Sequence, residues 1–473
     1  MDTNQWIEDH RDLFIDISDQ IWRFAEPGLL EFRSAELLSG ALEKAGFSVQ
    51  RGVAEMPTAF VASYGKGKPV VGIMGEYDAL PGLSQDRTPY QKPLEEGAFG
   101  HGCGHNLFGA GSLAAAMAVA RAIETGEAQG TIRFYGTPGE EAGDGKAFMA
   151  KAGLFDDVDI ALAWHPGPLN VNAFVNFVAV IMVSFKFHGK TAHAAVDPYN
   201  GRSALDALEL MNVGVNYLRQ RLPPDCPVTY VITHGGEAPN VVPDYAESIF
   251  MIRGNQDNIR EVYERVINVG KGAALMTGTR MEVEFHDASS ASVLNEPIAE
   301  VIQAQMEQIA PPSYTEEEEK FVEELAKSFT SIEENPYVHL MGPEIFNLLS
   351  GGGSRLLVNA VLPLMKIEKT FTGGSDVGDV SQVTPTGQFV AATQALGTPG
   401  HSWQAVAQHG MSIGHKGMLY AGKVLAATAL EFLHQPELVE RACQDFLKRT
   451  RGRPYQSLIP EGVKPHSVYL PWK

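Results

Sequence analysis

The residues best equipped to do chemistry are Cys103 and His105, in the stretch GHGCGHN at 100–106. Two residues apart in an extended or turned backbone, a thiolate and an imidazole face the same side. Such a pair can grip one metal ion or bridge two. Gly100, Gly102 and Gly104 flank it, removing side-chain bulk and allowing backbone angles that other residues resist. Further along, Glu140-Glu141 lies in TPGEEAGDG, His165 in WHPG and His401 in TPGHSW. Cys103, His105, Glu141, His165 and His401 together offer five donors. If the sulfur is shared, that set serves two cations ~3.5–4 Å apart, with two further ligands each. Hydrolysis at such a centre needs two different carboxylates, one to ligate and one to take a proton from the attacking water. Adjacent glutamates in a bent loop can split those roles. Asp78, in GEYDALPGL, is the candidate carboxylate for orienting an imidazole from behind.

Each residue alone has a plainer reading. Cys103 could be a buried thiol, or a nucleophile with His105 as its base. Glu140 and Glu141 could be solvated acids, and His165 and His401 ordinary core histidines. The nucleophile reading leaves Glu140, Glu141, His165 and His401 without a role.

The elements that must position these residues are legible as alternating patterns. Val70–Met74 is a continuous apolar run, as expected of a strand buried on both faces, and it ends at Glu76 and Asp78. The segment 131–135 predicts a second strand, running into TPGEEAGDG, and 159–163 a third, running into WHPG. Helices are predicted over about 4–26, 34–45, 107–123 and 146–152. Strands alternating with helices imply an α/β fold with a mainly parallel sheet and helices on both faces. Sites in such sheets lie beyond the carboxyl ends of the strands. There the chain delivers Asp78, Glu140-Glu141 and His165 in turn.

From about 178 the order becomes strand, helix, strand, strand, helix, strand, the ferredoxin-like sequence of a small α+β unit. It reads as an insertion, giving a body of 1–177 and 289–473 around a unit of 178–288. After 290, TEEEEKFVEELAKSF predicts a helix capped by Thr315, with Phe321, Leu325 and Phe329 on one face. Residues 350–376 read as glycine-rich loop and strand, about 416–433 as a last long helix, and the proline-bearing tail as extended.

Composition bounds the partners. A chain of 473 residues, 44% hydrophobic, predicts more than one core. With 37 basic and 57 acidic residues the net charge is −20, which argues against nucleic acid and anionic membranes. An acidic substrate would need a local cationic anchor. No apolar run approaches the ~20 residues of a membrane span. Three cysteines make no disulfide framework, and the polar N-terminus has no signal-peptide pattern, so a cytoplasmic protein is expected.

GEYDALPGL, GHGCGHN, TPGEEAGDG, WHPG and GTPGHSW resemble, in order and over nearly the whole chain, the motifs of the two-metal amidohydrolase and aminoacyl-hydrolase family. That family includes hippurate hydrolase, indole-acetyl-amino-acid hydrolases, aminoacylases and glutamate-releasing carboxypeptidases. The resemblance implies a zinc-exopeptidase-like body and an inserted lid that also dimerises. It implies two divalent metal ions per subunit, Mn2+ or Zn2+, on Cys103, His105, Glu141, His165 and His401, with Glu140 as general base. His193, in GKTAHAA, would reach a neighbouring subunit's site and steady the oxyanion. Asn240, in PNVVPD, and Arg253, in MIRG, would lie near the substrate's carboxylate. The implied substrate is an N-acyl amino acid, and the implied assembly a homodimer through the lid or a heterodimer with a related subunit. Hippurate-type relatives usually have Asp where this chain has Asn106, a departure that bears on subfamily. A dipeptidase releasing basic amino acids, or a subunit inactive without a partner, also fits the resemblance.

Overall fold

A computed structural model of the chain describes residues 2–329, 355–366 and 373–465. Among these residues, three sheets form. The largest runs β1 (Ser48–Arg51), β2 (Phe60–Lys66), β4 (Gly130–Gly136), β3 (Val70–Gly75), β5 (Ile160–Gly167) and β12 (Thr386–Ala392). From β4 to β12 every pairing is parallel, and β1 and β2 add an antiparallel edge. The predicted mainly parallel sheet is therefore present. β3, the run VVGIMG, is buried at all six positions.

The sheet's core is closed by two apolar helices, His105–Glu124 and Ser412–His434, which pack on each other and on β3 and β5. By length and composition the first could cross a bilayer, but most of it is buried in this core. Its alanines and glycines suit close helix packing.

A second sheet has the order β10 (Arg280–Ser289), β7 (Ala179–His188), β9 (Tyr245–Gly254), β8 (Val228–His234), all antiparallel. This is the ferredoxin-like arrangement that the element order predicts. In β9 buried and part-exposed residues alternate strictly, because the helices Ala204–Arg219 and Ile259–Thr277 cover one face. A separate apolar cluster, including Phe185, Phe250 and Val266, fills this unit. A small third sheet pairs β6 (Ala173–Phe174) with β11 (Met365–Lys366) in parallel.

Four elements differ from the sequence expectation. The N-terminal helix is two, Thr3–Asp9 and Arg11–Phe24, broken at His10, although the apolar spacing runs through. β12 is a strand that the sequence pattern does not predict. Its TGQFVAA carries threonine and glycine, and Gly387 is there because a Cβ would strike Ile298 Cγ2 at 2.3 Å. The helix Pro436–Thr450 falls between the last predicted helix and the proline-bearing tail, where the sequence reading names no element. Leu438, Val439, Ala442, Phe446 and Leu447 give it an apolar side, of which Ala442 is fully buried. The segment after TPGHSW forms two helices, Trp403–His409 and Ser412–His434. The helix Glu316–Leu325 carries the full capping box, Thr315 and Glu318 exchanging bonds. Of the glycine-rich stretch 350–376, residues 350–354 and 367–372 lie outside the described residues, as do 466–473 of the tail.

Candidate metal centre

Four segments meet beyond the carboxyl ends of β3, β4 and β5. Cys103 and His105 lead into the helix His105–Glu124, with Gly104 in the left-handed region at its start. Glu140 and Glu141 follow β4, His165 lies near the end of β5, and His401 follows β12. Glycine lets them converge. A Cβ on Gly104 would lie 2.8 Å from Pro166 Cβ, beside His165, and one on Gly102 would lie 3.3 Å from the Cα of His401. His401 itself has φ 48°, a strained backbone for a non-glycine residue.

The donor atoms fall into overlapping groups. Cys103, His105 and His165 have donors within 4.8 Å of one another, as do Cys103, Glu141 and His401. The sulfur is common to both. Cys103 Sγ is 3.4 Å from His165 Nε2, and His401 Nε2 is 3.7 Å from Glu141 Oε2. The imidazoles of buried His105 and half-buried His165 are anchored through Nδ1. His105 Nδ1 is 2.7 Å from Asp78 Oδ1, and His165 Nδ1 is 2.7 Å from the Pro166 carbonyl. Each Nε2 is thereby left to face the cluster. Asp78 Oδ2 also accepts the backbone N–H of Glu141 at 2.9 Å, so one carboxylate fixes two donors.

A third group, Glu76, His105 and Glu140, adjoins the others. Glu76 Oε2 lies 3.0 Å from His105 Nε2. Glu141 Oε1 is buried without a hydrogen-bond partner among the described residues, and Glu76 Oε2 and His105 Nε2 have only each other. Buried polar atoms of this kind are costly unless something satisfies them. A soft sulfur, imidazole nitrogens and carboxylate oxygens, all aimed at one space, fit divalent cations.

The electrostatics point the same way. Burial pushes the Cys103 thiol up, and Glu141 beside it adds to the effect, so a thiolate there requires an adjacent cation. Burial also raises Glu140 well above the usual carboxylate range, helped by Glu76 and Glu141. Glu141 is held at about 7, mainly by burial. Asp78 differs: burial alone would raise it, but His105 and the Glu141 amide bring it below its ordinary value.

Three supporting residues have no role in the sequence reading. Glu76 appears there only as a strand-end neighbour of Asp78. Lys146, fully buried, joins it from behind: its Nζ lies 2.7 Å from Glu76 Oε1 and 2.6 Å from Asp376 Oδ1. Glu31 Oε1 accepts the Gly139 amide at 2.8 Å and steadies the turn before Glu140. Glu76 carries a usable signal, its i, i+2 spacing to Asp78. Lys146 carries none. Asn106 points away from the cluster and donates to Ser18 Oγ and the His409 carbonyl.

His193, Asn240 and Arg253 belong to the second unit. His193 and Asn240 are exposed neighbours, linked by the Ala194 amide bonding to the Asn240 carbonyl. Arg253 is half-buried on β9, its Nε without a partner among the described residues. None of the three is hydrogen-bonded to the Cys103 cluster among the described residues.

A parallel body sheet with a polar cluster at its strand ends, and an antiparallel unit threaded through it, belongs to the zinc-exopeptidase-like hydrolases. Residues 72–347 match the profile of Peptidase family M20/M25/M40. One of the two kinds of subunit of the p-aminobenzoyl-glutamate hydrolase of Escherichia coli K12 is 40% identical over 97% of each chain. The chain belongs to that family, and is a hydrolase acting on amide or peptide bonds. The Xaa-Arg dipeptidase of Mus musculus is 28% identical, over 83% of this chain and 78% of its own. Among solved structures, a dinuclear metal-binding M20 peptidase of Bacillus subtilis superposes with a TM-score of 0.57 at 16% identity. That match covers 90% of this chain and 99% of the other, and shows the shared fold.

Proposed function

We propose that this protein hydrolyses p-aminobenzoyl-glutamate to p-aminobenzoate and glutamate, using two divalent cations, Mn2+ or Zn2+. One observation carries the metal-centre reading: Cys103 belongs to both donor groups, as a bridging ligand must. Cys103, His105, Glu141, His165 and His401 would hold the ions. The substrate assignment rests on the 40% identity to part of the enzyme of that name.

When bound, the cations would supply Lewis-acid activation of water and of the scissile carbonyl. The remaining work falls to side chains. Glu140, whose proton affinity burial raises, takes the proton of the attacking water and returns it to the leaving amine. Asp78 holds His105 in the tautomer with Nδ1 protonated. His193 of a neighbouring lid steadies the carbonyl oxygen. Asn240 and Arg253 receive the free carboxylate, Arg253 through its planar fork.

The lid in this reading is 178–288 and the body 1–177 and 289–473. The lid is also the dimerisation surface, between two copies or with a related subunit. Exposed Leu210, Val213, Tyr217, Val231 and Ile232 on one helix and the edge strand β8 support that assignment. The protein is assigned to the cytoplasm.

The test is a kinetic panel under defined Mn2+ or Zn2+ loading, with p-aminobenzoyl-glutamate, other N-acyl amino acids and dipeptides ending in arginine. The expected outcome is the highest kcat/KM for p-aminobenzoyl-glutamate, abolished by chelator. Glu140→Gln should lower kcat about 10²–10⁴-fold with metal content kept. A higher kcat/KM for the arginine dipeptides would overturn the substrate, and activity indifferent to chelator would overturn the centre.

A further inference from the structure

We propose that the chain carries a second binding site, for a small polyanion bearing two or more carboxylates or phosphates, in the cavity where the body and the second unit join. The cavity has a volume of about 790 Å³. Its walls include 176–178 and 291–293, the two segments where the chain passes between the body sheet and β7 or β10. Small-molecule sites commonly span about 300–1,000 Å³ and favour such junctions.

The lining of this cavity is net cationic. Arg260, Arg449, Arg451 and Arg453 line it, against Asp257 as the one carboxylate among the described lining residues. The whole chain carries −20, and a net cationic concavity in such a chain runs against its general field. The four guanidiniums are not equally committed. Arg449 is paired with Asp445 at 2.7 Å and Glu296 at 3.7 Å, and stacks over Phe174. Arg451 and Arg453 share Asp257, Arg451 at 3.9 Å and Arg453 in closer contact. Arg260 rests on the carbonyls of Gln456 and Ser457, at 3.2 and 2.6 Å. It has no carboxylate in ion-pair reach among the described residues.

One carboxylate between two guanidiniums, with a third beside it, leaves donor capacity for a ligand with several anionic oxygens. The 19-residue helix Ile259–Thr277 starts at this wall, and its second residue is Arg260. Arg260 belongs to the second unit, whereas Arg451 and Arg453 follow the body helix Pro436–Thr450. A ligand spanning them would tie the two together. The site needs neither the metal centre nor the proposed substrate.

The test is calorimetric titration of the full chain, stripped of metal so that chelation cannot mimic binding, with inorganic pyrophosphate and separately with succinate. Saturable binding of either supports the site, and which binds tells phosphate from carboxylate. Arg260→Gln should weaken binding about tenfold or more, the worth of a charge-assisted bond. Asp257→Asn should strengthen it several-fold by releasing Arg451 and Arg453. These opposite signs separate a ligand contact from general loss of folding. The proposal is overturned if neither anion binds more tightly than about 1 mM, or if both variants bind like the parent. Binding abolished instead by His401→Ala would place the anion at the metal centre, and also overturns it.

Discussion

At the scale of single residues, sharing of Cys103 has a measurable signature. Both donor groups depend on its sulfur, whereas His401 serves one of them. If two cations bind as proposed, Cys103→Ala is expected to lower occupancy at both positions, and His401→Ala to cost one ion per chain. Elemental analysis after dialysis reads the difference. Asp287 offers a test of burial. Its carboxyl, at a bulge in β10, is held up to about 7 by burial, with Asp376 adding. A carboxyl raised on folding binds protons more tightly in the native state, so it lowers stability as pH rises from about 4 to 7 and holds the loss above that. Asp287→Asn should change stability little at pH 4 and raise it by about 1–3 kcal/mol at pH 8, read as urea midpoints at both pH values. The residues legible in the sequence are those with local partners in spacing or motif. Cys103 and His105 announce themselves two apart, and Asp78 sits at a strand end. Lys146 does not, since a lone lysine beginning a helix looks solvated until Asp376, 230 residues later, closes over it.

At the scale of elements, the end of β3 is tied to three helix starts by one buried chain: Asp376, Lys146, Glu76, then His105. Lys146 is the shared cation between two carboxylates in a dry interior. Removing one partner from such a pair leaves uncompensated charge and costs about 3–5 kcal/mol. Lys146→Met should lose about that much in chemical denaturation, and Lys146→Met with Asp376→Leu should recover part of it. Elements are legible where burial imposes a clean period. β3 reads as unbroken apolar sequence and β9 as strict alternation. β12 is hidden because its burial comes from neighbours far away in sequence, β5 and Ile298, and not from its own composition. The helix Pro436–Thr450 is amphipathic, with Leu438, Val439, Ala442, Phe446 and Leu447 along one side, so its period is there to be read.

At the scale of the whole molecule, two apolar clusters are filled by different parts of the chain. A ligand that binds only the folded body stabilises by mass action, about 2.7 kcal/mol at a hundredfold excess over Kd. If cations bind as proposed, their removal should loosen the body around 76–78, 100–105, 137–141 and 398–401. It should leave β7–β10 protected. Hydrogen exchange with and without chelator would show this. Uniform loss of protection across both units would contradict independent cores.

The donors are also divided unevenly along the polypeptide. Cys103, His105, Glu141 and His165 precede the second sheet, while His401 and β12 follow it. During synthesis, a nascent chain would possess one complete triad long before the other. If cations bind as proposed, the first can be captured while the ribosome is still translating. The second must wait for the closing helices, so partial loading would be a stage that every copy passes through.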